Sequence, residues 1–360
     1  MKILKFGAVY DILIQRKDPI MQRRATMKCH HIAAAVLSAA VLLLTACQSK
    51  TDTPFPADPD ESARAESIAA EAEAAARAAA ESESLRLEEE SRRAEEEAKA
   101  LLEKQLQEDR DMAAADFEEN RYRTIDGTEF ELTFMDSFNG HYLDTTKWAY
   151  CPNWERDDCI WVEEAAYLED GALILAVTGD GVPYNAGAIR TRGLFEQTYG
   201  YWEVRAKLPQ AEGINAAFWL MCDGAGHAAV TGGTDGAEID IIEAPHHDWS
   251  QVQHAVHVDG YEADHKTMSK PMDIAGIYDD EWHTFALHWK PDGYYFYIDG
   301  EQTWKLRGKW VSQMPCYAKL TAAVGGWAGV LDPSLTPVYG MQVDYIKVYL
   351  PVGGYEIPTE

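Results

Sequence analysis

Three carboxylates fall within the six residues Glu238-Ile239-Asp240-Ile241-Ile242-Glu243, and the other three residues are all Ile. β-Branched residues at that density favour a strand over a helix. Strand side chains alternate faces, so Glu238 and Asp240 share one face while Ile239 and Ile241 take the other. Glu243 lies five residues from Glu238 and would fall on the apolar face, where an unpaired carboxylate is costly. A one-residue bulge around 241–242 resets the register and returns Glu243 to the other two acids. Two carboxylates on one face can serve as nucleophile and general acid/base at a glycosidic bond if they approach to about 5–5.5 Å. Roughly 13 Å of strand separates the two Glu α-carbons, and long side chains leaning inward over a concave sheet close most of that gap. Asp240 adds a third negative charge, so at least one pKa must rise, which suits a proton-donating Glu. A half-exposed strand whose acids merely face water is the alternative that six residues leave open.

Such a strand needs a sheet to carry it. Short alternating runs punctuated by Gly, Asp and Pro begin at Glu129. Residues 129–134, 173–177, 201–208, 284–289, 294–298 and 341–349 read as strands. Asp170-Gly171, Asp292-Gly293 and Asp299-Gly300 supply turns. Many short strands without helical patterns between them predict an all-β sandwich over 121–360, long enough to bury a substantial core.

The first 46 residues read as an export segment and stand outside the fold. Arg23, Arg24 and Lys28 precede an apolar run over 32–46 that is too short for a comfortable membrane span. It ends in Leu44-Thr45-Ala46-Cys47, which is similar to a bacterial lipoprotein signal with Cys47 as the lipidated residue. Acyl chains on Cys47 would hold the exported chain at the cell surface or membrane. Counted from Met27 the signal has an ordinary length, so 1–26 reads as a mis-assigned start. An ordinary secretory signal with Cys47 incidental is the other reading. Residues 47–60, with Pro54, Pro56 and Pro59, form a flexible tether.

Residues 61–120 contain no Gly or Pro and are dominated by Ala and Glu. They predict a helix with Asp60 as its N-cap. Glu73 with Arg77, Glu88 with Arg92, Glu89 with Arg93 and Glu95 with Lys99 have the favourable acid-first i,i+4 order. Large apolar residues are too sparse for a sustained heptad seam, so the segment reads as a solvated helical spacer. An oligomerising coiled coil is the competing reading, and neither takes part in the chemistry.

The formal net charge of −28 over 360 residues argues against nucleic acid or an anionic membrane surface as a partner. No Cys/His spacing matches a zinc site, and His246-His247 reads as a polar loop. The absence of a Gly-rich phosphate loop and of a Gly-x-Ser-x-Gly elbow leaves nucleotide and serine-hydrolase readings without support. Beyond Cys29 and Cys47, an exported chain could pair Cys151, Cys159, Cys222 and Cys316. A Cys151–Cys159 bond would close a short loop containing Trp154.

The acid hexapeptide resembles the bulged signature Glu-x-Asp-x-x-Glu of glycoside hydrolase family 16, and further segments follow in the same order. They include Phe134-Met135-Asp136-Ser137-Phe138-Asn139-Gly140, Gly200-Tyr201-Trp202-Glu203-Val204-Arg205-Ala206-Lys207-Leu208-Pro209 and Ala217-Phe218-Trp219-Leu220. Trp282-His283-Thr284-Phe285-Ala286-Leu287-His288-Trp289 and Val343-Asp344-Tyr345-Ile346-Lys347-Val348-Tyr349 complete the match, which covers roughly 130–350. The resemblance implies a concanavalin-like β-jelly-roll sandwich, monomeric in its catalytic domain, that cleaves β-glucans or galactans with retention and needs no cofactor. A structural calcium ion occurs in the family, but no ligand cluster assigns one here. By the family pattern Glu238 is the nucleophile, Glu243 the acid/base, and Asp240 the partner of Glu238.

The same pattern brings Glu203, Arg205 and His257 to the sugar, with Arg190, Asn185 and Trp327 as further cleft residues. Trp219 is either a stacking platform or a core residue, while Trp202 and Trp289 read as core. The alternative for Glu203 and Arg205 is a surface ion pair, and for His257 a satisfied structural residue. Two departures bear on the substrate: Asn215 and Gly236-Ala237 stand where many β-1,3-glucanases of the group carry Trp. Endo-hydrolysis of β-1,3- or mixed β-1,3/1,4-glucan is the expectation. Galactan hydrolysis and a non-catalytic lectin on the same scaffold are the alternatives.

Overall fold

The computed structural model describes residues 59–151, 153–223, 231–245 and 250–356. The export segment, Cys29, Cys47, most of the tether and the His246-His247 pair lie outside them. Contacts divide the chain into two units, Met1–Glu90 and Ser91–Glu360.

The Ala/Glu-rich segment is helical over Pro59–Glu119. Proline suits the first helical position, where its missing N–H is not needed. Asp60 therefore lies within the first turn instead of capping it. Of the expected pairs, Arg77 meets Glu73 at 2.6 Å, but Arg92 reaches forward to Glu96 and Lys99 to Glu103. All are highly exposed and contribute little. The contact boundary falls near residue 90 and not at 120. Within the second unit, Asp109 accepts the His141 backbone N–H and meets its Nδ1 at 2.6 Å, and Gln105 accepts from Tyr142. Phe117 packs on a small apolar cluster of Phe130, Leu132, Met135, Tyr201, Ala286 and Tyr349. The spacing of Leu residues gave no hint of this docking because polar side chains carry much of it.

The rest of the second unit is a sandwich of two sheets. Among the described residues one has twelve strands and the other seven. The seven-stranded sheet runs, edge to edge, Lys266–Asp273, Gln251–Val258, Glu238–Pro245, Ile214–Met221, Tyr317–Val324, Ala188–Arg190 and Ala149–Tyr150. All its pairings are antiparallel. At the centre of the larger sheet lie His283–Lys290, Gly200–Lys207 and Val338–Pro351. Side chains from both inner faces form one core, including Trp202, Val204 and Trp289 from the larger sheet and Phe218, Ile239 and Ile241 from the smaller. This is the expected jelly-roll sandwich, with Trp202 and Trp289 fully buried.

Asp170-Gly171 and Asp299-Gly300 both take left-handed φ, as tight hairpin turns require. The third turn differs, because Lys290 pairs with Gly293 and leaves Pro291-Asp292 at the tip. Gly325 (φ 85°) is needed for a closer reason: a Cβ there would sit 2.3 Å from the Asp158 carboxylate. That turn sets the position of Trp327.

The cysteine pairing answers a question the sequence leaves open. Cys151 and Cys159 are both buried and free, and the disulfide joins Cys222 to Cys316. Each half-cystine lies at one end of a central strand, just beyond the Met221–Tyr317 register pair. Replacing both by Ala should lower unfolding stability by about 2–4 kcal/mol through the freed 94-residue loop. Urea unfolding of the two forms measures the difference, and equal midpoints would refute it.

Candidate active site

The acid strand is bulged where its pattern requires. Against Gln251–Val258, Asp240 pairs with Ala255 and Glu243 with Gln253, so Ile241 and Ile242 together face His254 alone. Against Ile214–Met221, Ile242 pairs with Phe218 and Asp240 with Trp219, so Ile241 is the extra residue. Both Ile241 and Ile242 are completely buried, and Glu243 returns to the face of Glu238 and Asp240. A bulge leaves backbone groups without ladder partners. Here the Ile241 carbonyl accepts from the ring Nδ1 of buried His254 at 2.5 Å, and His254 Nε2 meets Thr303 Oγ1 at 2.7 Å. Burial lowers His254 to about 4 despite that bond, so its ring is neutral.

On the outward face each carboxylate has its own partners. Tyr261 donates to Glu238 Oε2 at 2.5 Å. Gln253 Nε2 donates to Glu243 Oε2 at 2.8 Å, with Asn215 Nδ2 at 3.5 Å from Oε1. His257, in register with Glu238, brings Nε2 within 3.4 Å of Asp240 Oδ2, while its Nδ1 lies 2.9 Å from His265 Nε2. Atoms of Glu238, Asp240 and His257 lie within 4.8 Å of one another.

Crowding and burial set the protonation states. Asp240 is pushed well above the usual carboxylate range by burial and then by Glu243 and Glu238. Burial also raises Glu243, opposed by the Gln253 bond and reinforced by Glu238. Burial alone would lower His257, but Asp240, then Glu238 and Glu243, outweigh it and push it up to about 9. Burial and the Glu238 charge raise Tyr261, which keeps its donor proton. The cluster therefore holds three acids around one imidazolium, with a proton retained among the carboxyls.

Other expected cleft residues scatter. Trp219 lies on the acid face beside Asp240, but its ring is nearly buried, bonded to Thr321 Oγ1 and capped by the Lys319 ammonium at 3.7 Å. Arg190 lies on the same row, in register with Lys319. Trp327 is 45 % exposed on the turn Gly326–Ala328, which approaches the acid strand. Asn185 is exposed on Tyr184–Ala186 in the larger sheet, on the opposite side of its strand from Ala186, the partner of Trp161.

Glu203 and Arg205 need correction. Their neighbours Trp202 and Val204 point into the core, so alternation sends Glu203 and Arg205 out through the far side of the sandwich. There Arg123 holds Glu203 at 2.9 Å, with Tyr345 at 3.1 Å, and Asp344 holds Arg205 at 2.6 Å. The ion-pair reading fits both, although Glu203 is buried.

Sequence reasoning missed Tyr261, Gln253, His265 and Lys319. Tyr261 follows Asp259 and Gly260, both left-handed, in a turn pinned where Asp259 accepts from Gly232 N–H and Lys266. An Asp-Gly turn directly after a strand that borders the acids was the available signal.

A bulged strand of paired glutamates on the outer face of a jelly roll is the mark of a glycoside hydrolase. Residues 153–347 match Glycosyl hydrolases family 16, and the chain belongs to that family. It is similar to a keratan-sulfate endo-1,4-beta-galactosidase of Sphingobacterium multivorum, with 31% identity over 63% of this chain and 56% of the relative. A glucan endo-1,3-beta-glucosidase of Niallia circulans is 26% identical over 61% of this chain and 37% of its own length. The chain thus spans about half or less of these curated relatives. Among solved structures, an endo-beta-1,3-glucanase from Pyrococcus furiosus superposes with a TM-score of 0.54 at 25% identity, covering 64% of this chain and 97% of that one. A laminarinase from Flavobacterium sp. UMI-01 gives 0.53 at 27% identity, covering 61% and 100%.

The raised His257 has a stability consequence. Its folded value near 9 exceeds the unfolded value of about 6.5. The favourable contribution is therefore complete below about pH 6.5 and is lost as pH rises through about 9. The stability deficit of His257→Gln in urea should be largest near pH 6 and shrink toward alkaline pH. A deficit that does not change with pH would reduce His257 to packing.

Proposed function

We propose that this chain is a retaining, endo-acting hydrolase of β-1,3- or mixed β-1,3/1,4-glucans. The observation that carries the reading is the bulge, which turns Glu238 and Glu243 to one face with different partners. Glu238 attacks the anomeric carbon as the glycosidic bond breaks, and Glu243 gives its proton to the leaving oxygen. Burial and the Glu238 charge both favour the protonated form of Glu243, against the Gln253 bond. Once Glu238 is esterified its charge is gone, so Glu243 becomes more acidic and stays ionised. It can then take a proton from the water that hydrolyses the ester. Tyr261 and the Asp240–His257 pair keep Glu238 oriented while it is an anion.

Glucan cleavage is supported by the similarity to the Niallia and Pyrococcus glucanases and the Flavobacterium laminarinase. A galactan substrate is the second reading, favoured by the Sphingobacterium relative and by Asn215 in place of a stacking Trp. The same proposal has the chain exported and lipid-anchored through Cys47, on the strength of Leu44-Thr45-Ala46-Cys47.

Laminarin, mixed-linkage glucan and a neutral β-galactan, each incubated with the protein, separate these readings by reducing-end release and fragment sizing. Glu238→Gln should abolish cleavage, and Glu243→Gln should slow it by about 10²–10⁴-fold. NMR of the first products should show the β-anomer. Inversion, or binding without cleavage of any of the three, would overturn the proposal.

A further inference from the structure

One charged side chain near the acids has no role in that chemistry. Lys319 is 4% exposed at the centre of Tyr317–Val324, yet its ammonium has no hydrogen-bond or ion-pair partner among the described residues. Its surroundings are aromatic: Trp219 at 3.7 Å, Trp161 at 5.1 Å and Trp154 at 5.4 Å from the ammonium to the ring centroids. Trp154 and Trp161 face each other across a short hairpin, and Trp154 is 54% exposed.

Register ties this corner to the acids. Arg190, Lys319, Trp219 and Asp240 are consecutive cross-strand partners on one face of the smaller sheet. At the usual strand spacing Lys319 stands roughly 10 Å and Arg190 roughly 14 Å from Asp240 along that row. Among the described residues Arg190 also has no counter-ion, and its buried Nε has no hydrogen-bond partner. The neighbouring cation Arg192, by contrast, is neutralised by Asp223 at 2.8 Å. Ring faces offset part of the cost of burying an ammonium, but they supply no counter-charge. Glu238 acts on Lys319 only through space, so two adjacent cations without a paired carboxylate, beside a site for a polymer of sugars, can each take an anion that the polymer brings.

We infer that Lys319 and Arg190 form a subsite for an anionic substituent, a sulfate ester or a carboxylate, on a sugar next to the one being cleaved. The inference rests on the glycan-hydrolase reading for its location, and it narrows the substrate class to charged glycans. Burial lowers Lys319 to about 8, so the ammonium form still predominates at neutral pH. A bound anion would hold it there more firmly.

Calorimetric titration of the full-length Glu238→Gln protein separates binding from turnover. The ligands are β-1,3-gluco- and β-1,4-galacto-oligosaccharides, each in neutral, 6-O-sulfated and 6-carboxylate form. One charged form in either series should bind at least about tenfold tighter than its neutral parent, as expected for a charge-assisted hydrogen bond. The advantage should fall as salt is added. Which charged form wins names the substituent. Lys319→Met should bring the ratio close to one, and Lys319→Arg, as a folded control, should retain most of it. Failure of every charged form to outbind its parent, or survival of the preference in a folded Lys319→Met protein, would overturn the subsite. Wild-type protein that cleaves nothing while its Glu238→Gln form keeps the preference would sink the hydrolase reading alone.

Discussion

The site depends on one extra residue in a strand. Without Ile241 standing outside the ladder, Glu243 would point into the core among Phe218, Ile239 and Ile242. An ionised carboxylate cannot be held there without a partner. The bulge exchanges that impossibility for a smaller one, an unpaired carbonyl, and His254 resolves it from beneath. The same strand thus presents acids outward and a continuous Ile surface inward. Core packing and acid placement are consequently one constraint. A change that loosened the Ile face would also re-aim the carboxylates.

Electrostatics then divides identical side chains into different roles. Glu238 and Glu243 are the same residue on the same face, but one is met by a phenol and the other by two carboxamides. Asp240 between them is nearly buried, and its companion is an imidazolium. Charges this close cannot be assigned singly, because moving one proton changes the others. Covalent chemistry at Glu238 would use that coupling, since neutralising it alters the acidity of Glu243.

Much of this was legible before the structure. The bulge followed from a residue on the wrong face, and the sandwich from short strands between turns. Strands missed in the smaller sheet, Ile214–Met221 and Tyr317–Val324, are buried on both faces and so lack alternation. Glu203 and Arg205 show the complementary failure. Alternation gives the face of a strand, but which side of a two-layer body that face meets is a tertiary fact. The disulfide and the His254 contact are of the same kind, set by residues distant in sequence and adjacent in space. Lys319 was hidden because a lysine in an apolar run reads as an interruption and not as a site.

The Cys222–Cys316 bond has a topological meaning. Glu238, Asp240, Glu243, Gln253, His254, His257 and Tyr261 all lie between its two half-cystines, while Asn215, Trp219 and Lys319 lie outside. The acids and all of their immediate partners but Asn215 thus occupy a covalent ring, clipped at its neck to two central strands. A single peptide cut anywhere in that ring leaves both fragments joined. The molecule can be nicked beside its acids and still be one molecule.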